Sequence, residues 1–287
     1  MAEENTARWL TDYKLPLGDG AKAGVNWLTD NAGTLFDSLA VALEHGIDAL
    51  LWLLQTPSPL ALITLLAILV HLLHRRWLLT LFVVAGMLLI VNQGYWKETT
   101  QTLALVLASA FICMAVGVPL GVAAARRPWL YAILRPILDF MQTIPTFVYL
   151  IPALILFGLG PVPGLIATVI FAMPAPIRMT HLGVSSTPKI LLEVGDAFGC
   201  SPWERLVKIE FPHALPQMLA GLTQAIMLSL SMVVIAALVG AGGLGVPILR
   251  ALNQVNIGKG FESGIIIVII AIILDRACRL RQPRRNN

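Results

Sequence analysis

The chain has 287 residues, 57% of them hydrophobic and 13% charged, with a formal net charge of +4 and a mean hydropathy of +0.80. A soluble domain carries about 25% charged residues, so there is too little charge here to cover a solvated surface, and the composition implies one all-α bundle of membrane helices. The basic residues are spread over the ends of apolar runs with no aromatic-interleaved patch, which excludes a nucleic-acid partner, and Cys113, Cys200 and Cys278 stand far apart as small hydrophobes, with no disulfide framework or metal site.

Residues 1–56 form an N-terminal segment. Its start, MAEENTARWL, is polar and partly acidic, unlike a cleavable signal peptide. From Val25 to Leu54, Leu28, Leu35, Phe36, Leu39, Leu43, Ile47, Leu50 and Leu54 recur at helical spacing, while Asp30, Asp37 and Glu44 fall seven apart on another face. This amphipathic helix suits either the membrane interface or the outer side of the bundle. Thr56-Pro-Ser-Pro59 separates it from the first membrane span.

A membrane helix needs about 20 apolar residues. Residues 57–98 hold two shorter, accessory spans, Pro57 to Val70 and Trp77 to Val91. Residues 99–276 hold the core. Thr99 to Ala125 is one span, and Phe140 to Ile177 is long enough for two, with Gly158-Leu-Gly-Pro-Val-Pro-Gly164 as the turn between them. Ala214 to Leu249 holds another, ending at Gly240-Ala-Gly-Gly-Leu-Gly245, which reads either as a close-packing turn near an outer gate or as an ordinary loop. Gly264 to Leu274 is a last, shorter core extended by its flanks. The expected total is about seven membrane helices, with a basic tail over 277–287.

The Lys/Arg bias of short loops sets orientation. Placing the loop between Ile177 and Ala214 in the cytoplasm, and alternating from there, puts fourteen of the twenty Lys/Arg residues inside. They include Arg75, Arg76, Arg126, Arg127, Arg135 and the tail arginines. The segment through Asp48, with three basic and eight acidic residues, then lies outside. The expected topology is a multi-pass inner-membrane protein with a periplasmic N-terminus and a cytoplasmic C-terminus.

The inside loop, residues 187–216, is rich in helix punctuation. Thr187 is suited to cap a helix with Pro188 in its first turn, and Gly199 to stop it. Ser201-Pro-Trp-Glu204 has capping-box spacing for a second helix, which is expected to end before Pro212. The result is a bent pair of short helices. Its shape alone fits a simple connector as well as a docking knob whose Leu192, Ala197 and Phe198 enter a partner's groove.

The loop resembles the EAA loop of ABC-importer permeases, E-A-A-x3-G-x9-I-x-L-P. Glu193, Gly199, Ile209 and Pro212 match at the right spacing, while Val194 and Gly195 replace two alanines and Phe211 replaces a leucine. Segments Leu138–Pro152, Val162–Arg178, Gln224–Gly245 and Phe261–Arg276 are similar to permeases of glycine betaine/proline betaine and choline importers, over roughly Gly94 to Arg276. The resemblance implies the fold of a type I ABC-importer permease, engaged at Glu193, Ala197, Phe198, Gly199, Ile209 and Pro212 by a cytoplasmic ATP-binding subunit. It also implies a periplasmic binding protein, a second copy of the permease as a homodimer, and choline or glycine betaine as cargo.

No G-x4-GK[ST] motif is present, so ATP hydrolysis belongs to a partner chain and no cofactor is expected in this one. The alternative is an ion-coupled secondary transporter, which tends to keep ionisable groups at mid-membrane. Asp139, Arg178, Glu262 and Asp275 all read as near span ends, Asp139 as a helix-start acid favoured by the dipole. His45, His71, His74, His181 and His213 are scattered without metal-site spacing. Phe147 and Tyr149, between Pro145 and Pro152, are candidates for a translocation path if the helix breaks there, or for ordinary packing if it does not.

Overall fold

The computed structural model describes residues 16–278, so the N-terminal start and nearly all of the basic tail lie outside the described residues. Within them every regular element is helical. The first helix, α1 (Leu17–Gln55), is kinked at Ala32. Its second half packs Leu43, Ile47 and Leu51 against Leu105, Cys113, Leu165 and Val169 of the bundle, so this half follows the packed reading of the amphipathic pattern. Ser58 caps the next helix through Ala61 N–H, as expected of a break at Thr56–Pro59. Helices α2 (Pro59–His74) and α3 (Trp77–Asn92) form a hairpin about Arg75, whose φ is +49°.

The core continues as α4 (Trp96–Arg126), α5 (Pro128–Thr143), α6 (Thr146–Phe157), α7 (Pro161–Ala172) and α8 (Pro174–Ser185). After an elbow come α11 (Phe211–Ala237), α12 (Gly245–Asn253) and α13 (Ile257–Cys278), with α9 and α10 inside the elbow. Four stretches are each long and apolar enough to cross a membrane: Trp96–Arg126, Pro161–Ser185, Pro202–Ala237 and Ile257–Cys278. Counting the bent pairs α1–α2 and α5–α6 as one span each gives up to six, and α3 is a shorter apolar helix. Each apolar run of the sequence therefore has its helix.

One expected span is not a straight rod. Helices α5 and α6 meet at 95°. Pro145 has no N–H to continue the helix and drives Ile144 into extended backbone (φ −65°, ψ 132°). The helix containing Asp139 thus starts at Pro128, and Asp139 lies toward its C-terminal end, where the dipole does not favour an acid. It is held instead by Arg178, whose Nη2 stands 2.7 Å from its Oδ1.

Helices α4, α8 and α11 approach closely because small residues line their contacts. A Cβ on Gly121 would lie 2.6 Å from Thr180 Cβ and 2.7 Å from the Ile177 carbonyl oxygen, and one on Gly221 3.1 Å from Pro176 Cα. Ser109 of α4 donates to Ser229 Oγ of α11 at 2.8 Å, while Ser229 donates to the Ala225 carbonyl, so both buried hydroxyls are satisfied across the helix pair. The glycine run after α11 is a close-packed turn. Gly240, Gly242 and Gly243 all have positive φ, and the N–H groups of Gly243 and Leu244 donate to Gln101 Oε1 and Thr102 Oγ1 of α4.

Candidate functional site

The elbow begins with α9 (Lys189–Ala197). Thr187 does not cap it: its hydroxyl donates back to the Val184 carbonyl of α8, and Pro188 holds the N-cap position. This is the local back-bonding that competes with capping for a Thr next to a helix end. The stop at Gly199 is as read. Gly199 has φ +72°, its N–H donates to Asp196 O, and Cys200 N–H donates to Gly195 O, which together make a Schellman motif. The capping box also forms: Ser201 Oγ accepts from Glu204 N–H, and the Glu204 carboxylate accepts from Ser201 N–H. Lys208 adds an i,i+4 pair with Glu204 at 2.9 Å.

Helix α10 (Pro202–Arg205) does not end before Pro212. It passes through a π-turn, Leu206–Glu210, directly into α11. In the widened turn Phe211 N–H reaches back to Leu206 O, five residues away. The i+5 pairing makes room for the proline ring, so the helix continues where an α-turn would have clashed. The second arm of the elbow is therefore continuous with the helix that follows, over the 36 residues Pro202–Ala237.

Glu210 holds that body together. Its side chain is almost fully buried and accepts from Arg205 Nε at 3.3 Å and from Arg126 Nη2 at 3.3 Å. Arg205 also reaches Asp196 of α9 at 3.0 Å, and Arg126, the last residue of α4, donates to Pro202 O at 2.9 Å. Two arginines and two acids thus tie α9, the π-turn and the end of α4 into one network, with every charge satisfied. Reading the sequence did not find it, because Arg126 and Glu210 are 84 positions apart and neither belongs to a local pattern.

Of the six elbow residues singled out, Glu193, Ala197, Phe198, Gly199 and Pro212 are exposed and Ile209 is partly buried. Ile209 packs inward on Gly195, where a Cβ would sit 2.7 Å from Ile209 Cδ1. Phe198, at the tip, is 85% exposed, and Trp203 is 69% exposed. Ile190 and Val194 extend this apolar surface along α9. Two large aromatics are thus left exposed at the turn, beside the exposed apolar side chains of α9. Tyr149 and Phe147 differ in their surroundings. The Tyr149 hydroxyl donates to the Met141 carbonyl across the α5–α6 break, while Phe147, on the first turn of α6, is exposed.

Residues 117–286 match the family model of the binding-protein-dependent transport system inner membrane component. The chain belongs to this family. The permease is 45% identical over 265 residues to the glycine betaine/carnitine transport permease protein of Listeria monocytogenes, covering 91% of this chain and 94% of that one. It is 46% identical over 263 residues to the glycine betaine transport system permease protein of Bacillus subtilis, covering 92% and 93%. To the glycine betaine/proline betaine transport system permease protein of Escherichia coli it is 38% identical over 268 residues, covering 91% and 74%. An inward-facing structure of the MetNI methionine ABC transporter aligns with a TM-score of 0.57 at 24% identity, over 62% of this chain and 89% of that one. That likeness places the permease in the type I importer fold.

Proposed function

We propose that the permease is the membrane-spanning subunit of an ATP-driven importer of quaternary ammonium solutes, choline or glycine betaine, with glycine betaine the stronger candidate. The observation that carries the reading is the elbow. A rigid, charge-stapled knob presents Phe198 and Trp203 to a partner, and it continues without a hinge into α11. A push on such a knob moves a membrane helix. The partner is a cytoplasmic ATP-binding subunit, engaged through Glu193, Ala197, Phe198 and Gly199, with Ile209 and Pro212 setting the pitch of the second arm. The names of the three relatives support the solute class. A periplasmic binding protein delivers the solute, two copies of the permease form the pathway, and Phe147, beside the α5–α6 break, lines it.

The N-terminal segment lies in the periplasm and the elbow and C-terminus in the cytoplasm, from the Lys/Arg bias. The test is uptake of labelled glycine betaine in cells that lack other importers of such solutes. Expression of the complete importer is expected to confer uptake that unlabelled glycine betaine or choline suppresses. Uptake that neither suppresses overturns the solute assignment. In the same cells, Ser38→Cys is expected to react with an impermeant thiol reagent, and protection there reverses the topology.

A further inference from the structure

Away from the elbow, a pocket of about 600 Å³ lies between α5, α8, α11 and α13. Its height in the bundle is set by helix packing. Gly221 of α11 meets Pro176 and Met179 of α8, and Gly221 lies ten residues beyond Phe211. At 1.5 Å per residue this contact, two residues before Thr223 of the pocket lining, is roughly 15 Å of helix beyond the start of α11.

The walls differ in chemistry. On one side Arg178 of α8 is held by Asp139 at 2.7 Å and by Gln142 Oε1 at 2.8 Å, both from α5. A guanidinium has five donor hydrogens, so two such bonds leave others for an anion. Thr223 and Gln224 of α11 add a hydroxyl and an amide beside it. From α13, Asp275, a buried residue, also lines the space. Met179 and Met227 line the space with thioethers, which are apolar and polarisable. Ionisable groups within a membrane bundle are costly and by default mark function.

We propose that this pocket is a solute-binding site of the permease itself, for a zwitterion with a carboxylate at one end and a quaternary ammonium at the other. The proposal rests on the importer reading above and deepens it. A carboxylate needs hydrogen-bond donors, which Arg178, Thr223 and Gln224 supply. A quaternary ammonium has no N–H to donate, so it needs soft contact and a negative field, which the methionines and Asp275 supply. A cation without a carboxylate uses only one wall and is held less well.

The test measures retention of labelled glycine betaine by the permease–ATPase complex in lipid nanodiscs without the binding protein. Saturable retention is expected, with choline competing about tenfold less well, as for one lost set of charged hydrogen bonds. Gln224→Leu, on an exposed position of α11, is expected to weaken glycine betaine about tenfold and to leave choline competition nearly unchanged. Asp275→Asn is expected to weaken both. The site is overturned if a complex that transports glycine betaine retains none, if choline competes equally, or if Gln224→Leu binds as the wild type does. Should Asp275→Asn fail to assemble, Gln224→Leu decides alone. If the wild-type importer does not transport glycine betaine at all, the importer reading fails instead.

Discussion

Gly199 is where backbone conformation shapes the elbow most directly. Its φ of +72° is in the left-handed region, and a Cβ added there would meet nothing within 4 Å. A substitution is therefore penalised by the backbone alone. Gly199→Ala is expected to cost about 1 kcal/mol, and Gly199→Asn distinctly less, because Asn tolerates this conformation. Pull-down of the ATPase subunit by each variant should follow that order, and equal recovery of Ala and Asn variants would show that space, not φ, governs the site. Gly195 is the contrasting case. The family pattern has alanine there, but in this chain the missing Cβ lets Ile209 Cδ1 close onto the backbone of α9. The departure at Gly195 is absorbed by a flexible side-chain tip, so the elbow keeps its shape with a different residue.

Among the elements, those set by local chemistry could be read from the sequence and those set by distant contacts could not. The stop at Gly199 and the capping box at Ser201 each depend on residues within five positions, and both form as read. The π-turn was not legible. The rule that a helix stops before proline holds for an α-turn, and the Leu206–Glu210 turn escapes it by pairing five residues apart. The bend of α5 against α6 was half legible: Pro145 signals a break, but the position of Asp139 near a helix end is explained only once Arg178 is seen beside it. The Glu210 network and the charged pocket needed the fold, since their members come from three or four helices. The close approach of α4 and α8 makes a further prediction. Gly121→Ala puts a Cβ against the Ile177 carbonyl oxygen, which is backbone and cannot move aside. A loss of about 1–3 kcal/mol is expected, read as a lowered melting temperature of the purified permease in detergent. Gly24→Ala, in open space on α1, should leave that temperature in place.

For the molecule as a whole, the continuous run from Pro202 to Ala237 gives the simplest route from ATP to the pathway. If the ATPase docks as proposed, a force at Phe198 would pass through the Schellman turn and the arginine staples into α11. Helix α11 carries both Ser229, which faces α4, and Gln224, in the wall of the charged pocket. On the proposed function the elbow would determine how the transporter is driven, and on the further proposal the pocket would concern what it carries. The two are joined by roughly 15 Å of one helix, so a variant at the tip should affect transport without touching solute chemistry.

The most direct measurement is uptake of labelled glycine betaine into proteoliposomes that hold the permease with its ATPase, with liganded binding protein outside. Uptake is expected only with ATP on the ATPase side, and is expected to be unaffected by collapsing proton and sodium gradients. Phe198→Asp, which places a charge where the partner's groove must be apolar, should reduce it by about tenfold or more, as for loss of a buried aromatic anchor. Uptake that runs on an ion gradient without ATP, or that proceeds at the wild-type rate with Phe198→Asp, would contradict the account.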